Sequence, residues 1–237
     1  MNTVSVILPS YNESKSITEA IDRISNCLSD RLLEIIVIDD NSPDGTSQVV
    51  EQHQHPKIRL ITRENETGLA SALEMGTRLA AGELITWLAC DLGIPPENIP
   101  KLLDHLTEYD IAIGSRYLPT GKDLRPFWRS CLSYLLNWFS RVILGSDVTD
   151  YSSGFIAIRK EVLTLVQINP DAIFGEYFIE FVFHCQKAGL RIVEIPYLYY
   201  DRPFGVSKSS SSLLTVARLG WLYVIKVIKL RLSNRLN

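Results

Sequence analysis

Three apolar runs in this chain end in polar turns that carry carboxylates. Val4-Ser-Val-Ile-Leu8 leads into Pro9-Ser-Tyr-Asn-Glu13, and Glu34-Ile-Ile-Val-Ile38 leads into Asp39-Asp-Asn-Ser-Pro-Asp-Gly45. Leu84-Ile-Thr-Trp-Leu88 leads into Ala89-Cys-Asp-Leu-Gly93 and then Pro95-Pro-Glu97. Asp39 and Asp40 can accept hydrogen bonds from a base N–H or from ribose hydroxyls. With Asn41, Ser42 and Asp44 they also read as plain turn residues. Asp91 suits a divalent ion bridging a diphosphate, because Mg2+ takes only one or two protein carboxylates beside phosphate and water. It suits a cap of the turn before Pro95 equally well. Gly68-Leu-Ala-Ser71 opens a helical pattern whose first N–H groups can face phosphate, although an ordinary helix start looks the same. Arg116, Arg125, Arg129, Arg202 and Lys208 form a spaced basic set, and guanidinium groups match phosphate oxygens bidentately. Neither a GxGxxG fingerprint nor a GxxxxGK[ST] loop is present, so a dinucleotide or ATP site has no support. The combination points to an enzyme for a charged, hydroxyl-rich substrate of the nucleotide-sugar kind.

Such residues meet only if the apolar runs are strands of one sheet. Val4–Leu8, Glu34–Ile38, Ile58–Ile61, Leu84–Leu88 and Ile111–Ile113 read as short buried strands. Ser16–Leu28, Thr46–Glu51, Leu69–Ala80 and Ile99–Leu106 carry helical patterns between them. This alternation predicts βαβ units and a mostly parallel sheet, whose ligands bind beyond the carboxyl ends of the strands. Further strands are expected at Ser153–Ala157 and Ile192–Ile195, with a helix at Ile179–Ala188. Leu118–Pro126 and Asp201–Ser212 have loop composition. Phe127–Leu144 is strongly apolar, with Arg129 and Arg141 as its only charges, and Leu213–Leu232 reads as a long helix.

A chain of 237 residues, 46% hydrophobic, can build one large α/β domain. The formal charge of -3 gives no nucleic-acid signal. Residues 213–237 hold five basic and no acidic side chains. The four cysteines are scattered and form no CxxC, which reads as reduced thiols of a cytosolic protein. The four histidines are not spaced among them as a metal site. No signal peptide and no membrane span is expected.

Taken together these segments resemble family 2 glycosyltransferases of the GT-A fold, and are similar to dolichyl- or polyprenyl-phosphate mannose and glucose synthases. The resemblance rests on Pro9-Ser-Tyr-Asn-Glu13, Val37–Thr46, Gly68-Leu-Ala-Ser-Ala72, Asp91-Leu with Pro95-Pro-Glu97, Ile113-Gly-Ser-Arg-Tyr117, Ser153-Gly-Phe155 and Arg202-Pro-Phe-Gly-Val-Ser-Lys208. It implies that Pro9, Tyr11, Glu13, Asp39, Asp40 and Gly68 line the nucleotide pocket. It also implies that Asp91 ligates Mg2+ or Mn2+ near the sugar diphosphate. Arg116 and Arg129 would hold a lipid phosphate, Arg202 and Lys208 would close over phosphates, and Glu180 matches a carboxylate of a late helix. The family motif Asp-Ala-Asp-Leu-Gln stands here as Ala89-Cys90-Asp91-Leu92-Gly93, without two of its three metal ligands.

The implied reaction moves a hexose from a GDP-mannose or UDP-glucose type donor to polyprenyl or dolichyl phosphate, with inversion. The other readings are a soluble hydroxyl acceptor, or a catalytically weak nucleotide-sugar-binding protein. Residues 1–212 are expected to form the catalytic domain and 213–237 a basic amphipathic helix on the membrane interface. Arg218, Lys226 and Lys229 are expected on one side of that helix, with Trp221 and Tyr223 at headgroup level. The expected address is cytoplasmic and peripheral, with no nucleic-acid partner.

Overall fold

The computed structural model describes residues 2–204 and 213–233. Its strands are β1 (Val4–Ser10), β2 (Leu32–Asp39), β3 (Ile58–Thr62), β4 (Leu84–Trp87), β5 (Ile111–Ser115), β6 (Lys122–Asp123), β7 (Ile156–Arg159), β8 (Ile192–Pro196) and β9 (Leu198–Tyr199). Its helices are α1 (Ile17–Leu28), α2 (Thr46–Gln52), α3 (Leu69–Leu79), α4 (Ile99–His105), α5 (Phe127–Leu144), α6 (Val162–Leu165), α7 (Glu176–Lys187) and α8 (Leu213–Ser233).

Seven strands form one sheet in the order β3-β2-β1-β4-β7-β5-β8. All neighbours are parallel except β7, which runs antiparallel to both β4 and β5. The near-continuous apolar runs of β1 and β2 follow from burial on both faces. Val4, Val6 and Leu8 point to one side, where Ile17, Ile21 and Ile24 of α1 and Leu102 and Leu103 of α4 cover them. Ile7, Ile36 and Ile38 point to the other, under Ala70 and Leu73 of α3, with Phe178, Phe181 and Val182 of α7 in the same core. The two-residue period of a strand delivers the two faces in turn.

The strand expected at Ser153–Ala157 begins later, at Ile156. Gly154 has φ +66, so the chain is still turning there. The helix expected from Ile179 begins earlier, at Glu176, whose carboxylate accepts the Ile173 and Phe174 N–H groups. The loop-like segment after Tyr117 contains β6, which pairs with β9. The apolar run Phe127–Leu144 is one helix, and α8 packs against it and against α7.

Candidate active site

The three acidic turns fall side by side because β1 lies between β2 and β4. A cavity of about 1060 Å3 opens beyond these strand ends and continues between α5 and α8. Pro9, Tyr11, Glu13, Asp40, Gly68, Asp91, Arg116, Arg129 and Arg202 line it. Trp128, Leu132, Leu136, Val216, Leu219 and Val224 line its apolar end.

The first two turns are stitched together. Asn12, at φ 56, donates its N–H to Ser42 Oγ at 2.9 Å, and the Glu13 N–H reaches Thr46 Oγ1 at 3.0 Å. Asp39 is fully buried below the cavity wall. It accepts the Ser42 hydroxyl at 2.5 Å, the Ser42 N–H at 2.9 Å and the Ser47 hydroxyl at 2.8 Å. Its hydrogen bonds thus hold the turn, and the cavity face belongs to Asp40. Asp40 Oδ1 takes Arg63 through both Nε and Nη2, and Oδ2 accepts the Gly68 N–H at 2.8 Å. Gly68 sits at φ +131, a conformation that L side chains rarely adopt. Arg63 also reaches Ser71 Oγ and the Gly68 carbonyl, both at 2.9 Å. Arg63 belongs to none of the sequence motifs. Its position immediately past β3, beside an acid pair on the neighbouring strand, was the available signal.

The third turn is built differently. Asp91 is 5% exposed. Its Oδ1 accepts the Gly93 N–H at 3.0 Å, and its Oδ2 accepts Arg202 Nη2 at 2.8 Å. Leu92 between them has φ 59, strained for a branched residue. Arg202 Nη1 lies 3.8 Å from Glu13 Oε1, so one guanidinium joins the first and third turns. On its own this donor set supplies one carboxylate and not the full ligand set of a divalent ion. Ala89 and Gly93 offer no side-chain oxygen, and both Asp91 oxygens already have donors. Among the described residues no group of three His, Cys, Asp or Glu side chains is placed to hold a metal. The expected Mg2+ or Mn2+ finds one carboxylate instead of a ligand set.

The basic residues are paired. Arg116 is buried, donating to Asp150 through Nε at 2.8 Å and Nη2 at 2.7 Å, and to Ser152 Oγ at 2.7 Å. Burial opposes its charge, yet Asp150 beside it raises its pKa well above the ordinary value. Expected to grip a lipid phosphate, it is held by the chain's own carboxylates. Arg125 donates to Asp123 at 2.9 and 2.6 Å and lies 4.8 Å from the Tyr199 ring centroid. Burial pushes the Asp123 carboxyl up, but Arg125 holds it below the usual carboxylate range. Arg129 Nη1 reaches Asp201 Oδ1 at 2.8 Å, on the exposed side of the cavity. Nothing local to Asp150 or Asp201 marks its arginine partner, whereas Asp123 stands two residues before Arg125. Glu180 lies outside the cavity lining and pairs with Lys226 of α8 at 2.8 Å. Lys208 lies outside the described residues.

This geometry has known counterparts. The description "Glycosyl transferase family 2" matches residues 5–165. A dolichol-phosphate mannosyltransferase of Pyrococcus furiosus is 38% identical over 211 residues, 86% of this chain. This chain spans only 58% of that protein's length. An undecaprenyl-phosphate mannosyltransferase of Micrococcus luteus is 30% identical, covering 89% of each chain. A dolichol-phosphate mannosyltransferase of Saccharomyces cerevisiae is 32% identical, covering 94% of this chain and 87% of its own. The chain therefore belongs to glycosyl transferase family 2. Its fold is that of GT-A glycosyltransferases. Glucosyl-3-phosphoglycerate synthase of Mycobacterium tuberculosis, solved with Mn2+, UDP and phosphoglyceric acid, superposes with a TM-score of 0.76 at 18% identity. That match covers 97% of this chain and 78% of the other. The same enzyme has also been solved with Mg2+ and UDP.

Proposed function

We propose that this chain transfers a hexose from a nucleoside diphosphate sugar to a polyprenyl phosphate, with inversion at the anomeric carbon. The observation that carries the reading is the single cavity running from acidic strand ends to an apolar mouth between two helices. A donor of this type is polar throughout and an acceptor of this type is mostly hydrocarbon, and each finds its own end. The relatives' names favour mannose as the sugar and dolichol or undecaprenol as the lipid.

In this reading Pro9, Tyr11, Glu13, Asp40 and Gly68 surround the nucleoside, and Asp39 braces the turn from beneath. Arg202 faces the diphosphate, and Lys208 is kept as the second phosphate contact that the family resemblance implies. Arg129 receives the acceptor phosphate, while Arg116 adds a fixed positive wall and holds the turn at Asp150. An oxygen of the acceptor phosphate bonds to the anomeric carbon as the bond from that carbon to the diphosphate breaks. The electron pair leaves with the diphosphate. A phosphate monoester has a second pKa of roughly 6, so it is substantially ionised at neutral pH and needs no strong base. Alignment of the two phosphates and stabilisation of the departing one are the protein's tasks.

Peripheral docking on the cytoplasmic face of a membrane belongs to the same proposal. Phe127, Trp128, Leu132, Leu135, Trp138 and Val142 of α5 are exposed, as are Leu214, Trp221, Ile228 and Leu232 of α8. Arg218 and Lys229 are exposed as well, whereas Lys226 is turned inward to Glu180 and does not join a three-residue basic face. Aromatic and apolar side chains beside basic ones suit the headgroup boundary. No helix among the described residues is long and apolar enough to cross a membrane. Flotation with anionic liposomes should carry the chain upward, and recovery of all folded protein in the soluble fraction would remove this part of the proposal.

The test of the reaction is transfer of labelled sugar from a panel of GDP- and UDP-sugars to short polyprenyl phosphates. Glycosylated lipid phosphate from at least one donor is the expected product. No transfer and no donor hydrolysis with any donor would overturn the reading.

A further inference from the structure

The turn at Asp91 lacks a metal's ligands, yet its charge is met. Arg202 reaches Asp91 Oδ2 at 2.8 Å and lies 3.8 Å from Glu13 Oε1. Two carboxylates from different strand ends thus converge on one guanidinium at the wall of the donor end of the cavity.

Gly93 packs closely under the segment that carries Arg202. A Cβ built there would lie 2.8 Å from Tyr199 Cε2, 3.1 Å from the Tyr200 carbonyl and 3.2 Å from Asp91 Oδ1. The segment after β9 lies directly on the turn, with the Tyr200 N–H donating to the Gly93 carbonyl at 2.9 Å. A Cβ at position 93 would press on the edge of the Tyr199 ring and, more lightly, on the Tyr200 carbonyl. The turn thus combines no oxygen ligand at 93 with a cation from 202. Ala89 completes it by adding no carboxylate to hold a second cation.

A guanidinium carries a permanent charge and a planar fork of N–H donors matched to phosphate oxygens. It can stabilise charge developing on a departing diphosphate without coordination chemistry. We infer that Arg202 is the resident cation of this site, serving the nucleoside diphosphate where solved neighbours of the fold were crystallised with Mn2+ or Mg2+. Donor binding by this chain then needs no added metal. The inference rests on the donor reading of the cavity given above.

Calorimetric titration of the full chain with UDP and with GDP, in EDTA and then in MnCl2, tests it. One of the two nucleotides should bind in EDTA, with affinity changed by less than about threefold on adding Mn2+. Electron paramagnetic resonance should show no Mn2+ retained by the wild-type chain. Arg202→Gln should weaken nucleotide binding in EDTA by about tenfold or more, the loss of a charge-assisted bidentate contact. Arg202→Lys should keep part of it. Combining Ala89→Asp with Arg202→Gln should give nucleotide binding that Mn2+ strengthens, because a second carboxylate then stands near Asp91 with the guanidinium gone. Nucleotide binding by the wild type only with metal would overturn the inference and leave the donor reading intact. So would an Arg202→Gln variant that binds as tightly as the wild type. Absence of binding to either nucleotide in either condition would overturn the donor reading and this inference together.

Discussion

Two acidic turns flank β1, and they are neutralised in different ways. At the end of β2, Asp39 and Asp40 are satisfied from within the first seventy-odd residues, by Ser42 and Ser47 in one case and by Arg63 and Gly68 in the other. At the end of β4, Asp91 draws its cation from Arg202, on a segment beyond β9. The first turn is fixed by its neighbours in the sheet before any ligand arrives. The second depends on a residue that reaches over the cavity from its rim. A ligand can exchange contacts with such a residue without unfolding the turn, so the β2 end is framework and the β4 end is the exchangeable one.

Breaking the framework turn should have the largest effect. Asp40→Ala leaves Arg63, whose side chain is 3% exposed, without its buried carboxylate, the exposed Glu66 remaining 3.6 Å away. Removing one partner of a buried pair costs about 3 kcal/mol or more, so urea unfolding should shift by that amount and nucleotide binding should fall with it. A variant as stable as the wild type would erase the distinction between the turns. Asp91→Asn should do the opposite, lowering turnover by about tenfold or more with little loss of stability. It removes the charge that aligns Arg202 while keeping an oxygen for the Gly93 N–H. Unchanged turnover would refute a role for Asp91.

Arg129→Ala sharpens the contrast between the two ends of the cavity. It should raise the acceptor KM by about fivefold and leave donor binding close to wild type, and an equal loss of donor affinity would count against that assignment. The smallest effect is expected at a pair remote from both turns. Arg23 donates to Glu97 at 2.8 and 2.7 Å, and this holds the Glu97 carboxyl below its usual range. A depressed folded value contributes stability above the ordinary carboxylate range and loses it as pH falls through the depressed value. Because the pair is solvent-screened, Arg23→Ala should cost about 0.5 kcal/mol near neutrality. Its melting difference from the wild type should vanish in acid.

Strands β1 to β5 were legible as short apolar runs, and helices α1 to α4 as the helical patterns between them, with glycine, proline and acidic turn residues at the joints. The direction of β7 was not, since nothing local says that Ile156–Arg159 inserts antiparallel between β4 and β5. Its register is set by packing between distant segments. The cavity residues were legible as types at strand ends, but their partners were not. Arg116 and Asp150 are separated by 34 positions, and Asp91 and Arg202 by 111. Arginines read as ready phosphate ligands because sequence gives charge without its counterion. The same limit hid Lys226, whose helical spacing placed it with Arg218 and Lys229 until Glu180 claimed it.

The proposed reaction needs one cavity to join a nucleotide-sugar end to a lipid-phosphate end. The most direct measurement offers a labelled donor to a polyprenyl phosphate and to soluble sugar and glycerol acceptors in the same reaction, with product separated by solvent partition and its anomeric configuration determined. The account predicts label in the lipid phosphate, inverted at the anomeric carbon. Label transferred to the soluble hydroxyl acceptors, with none in the lipid phase, would contradict it.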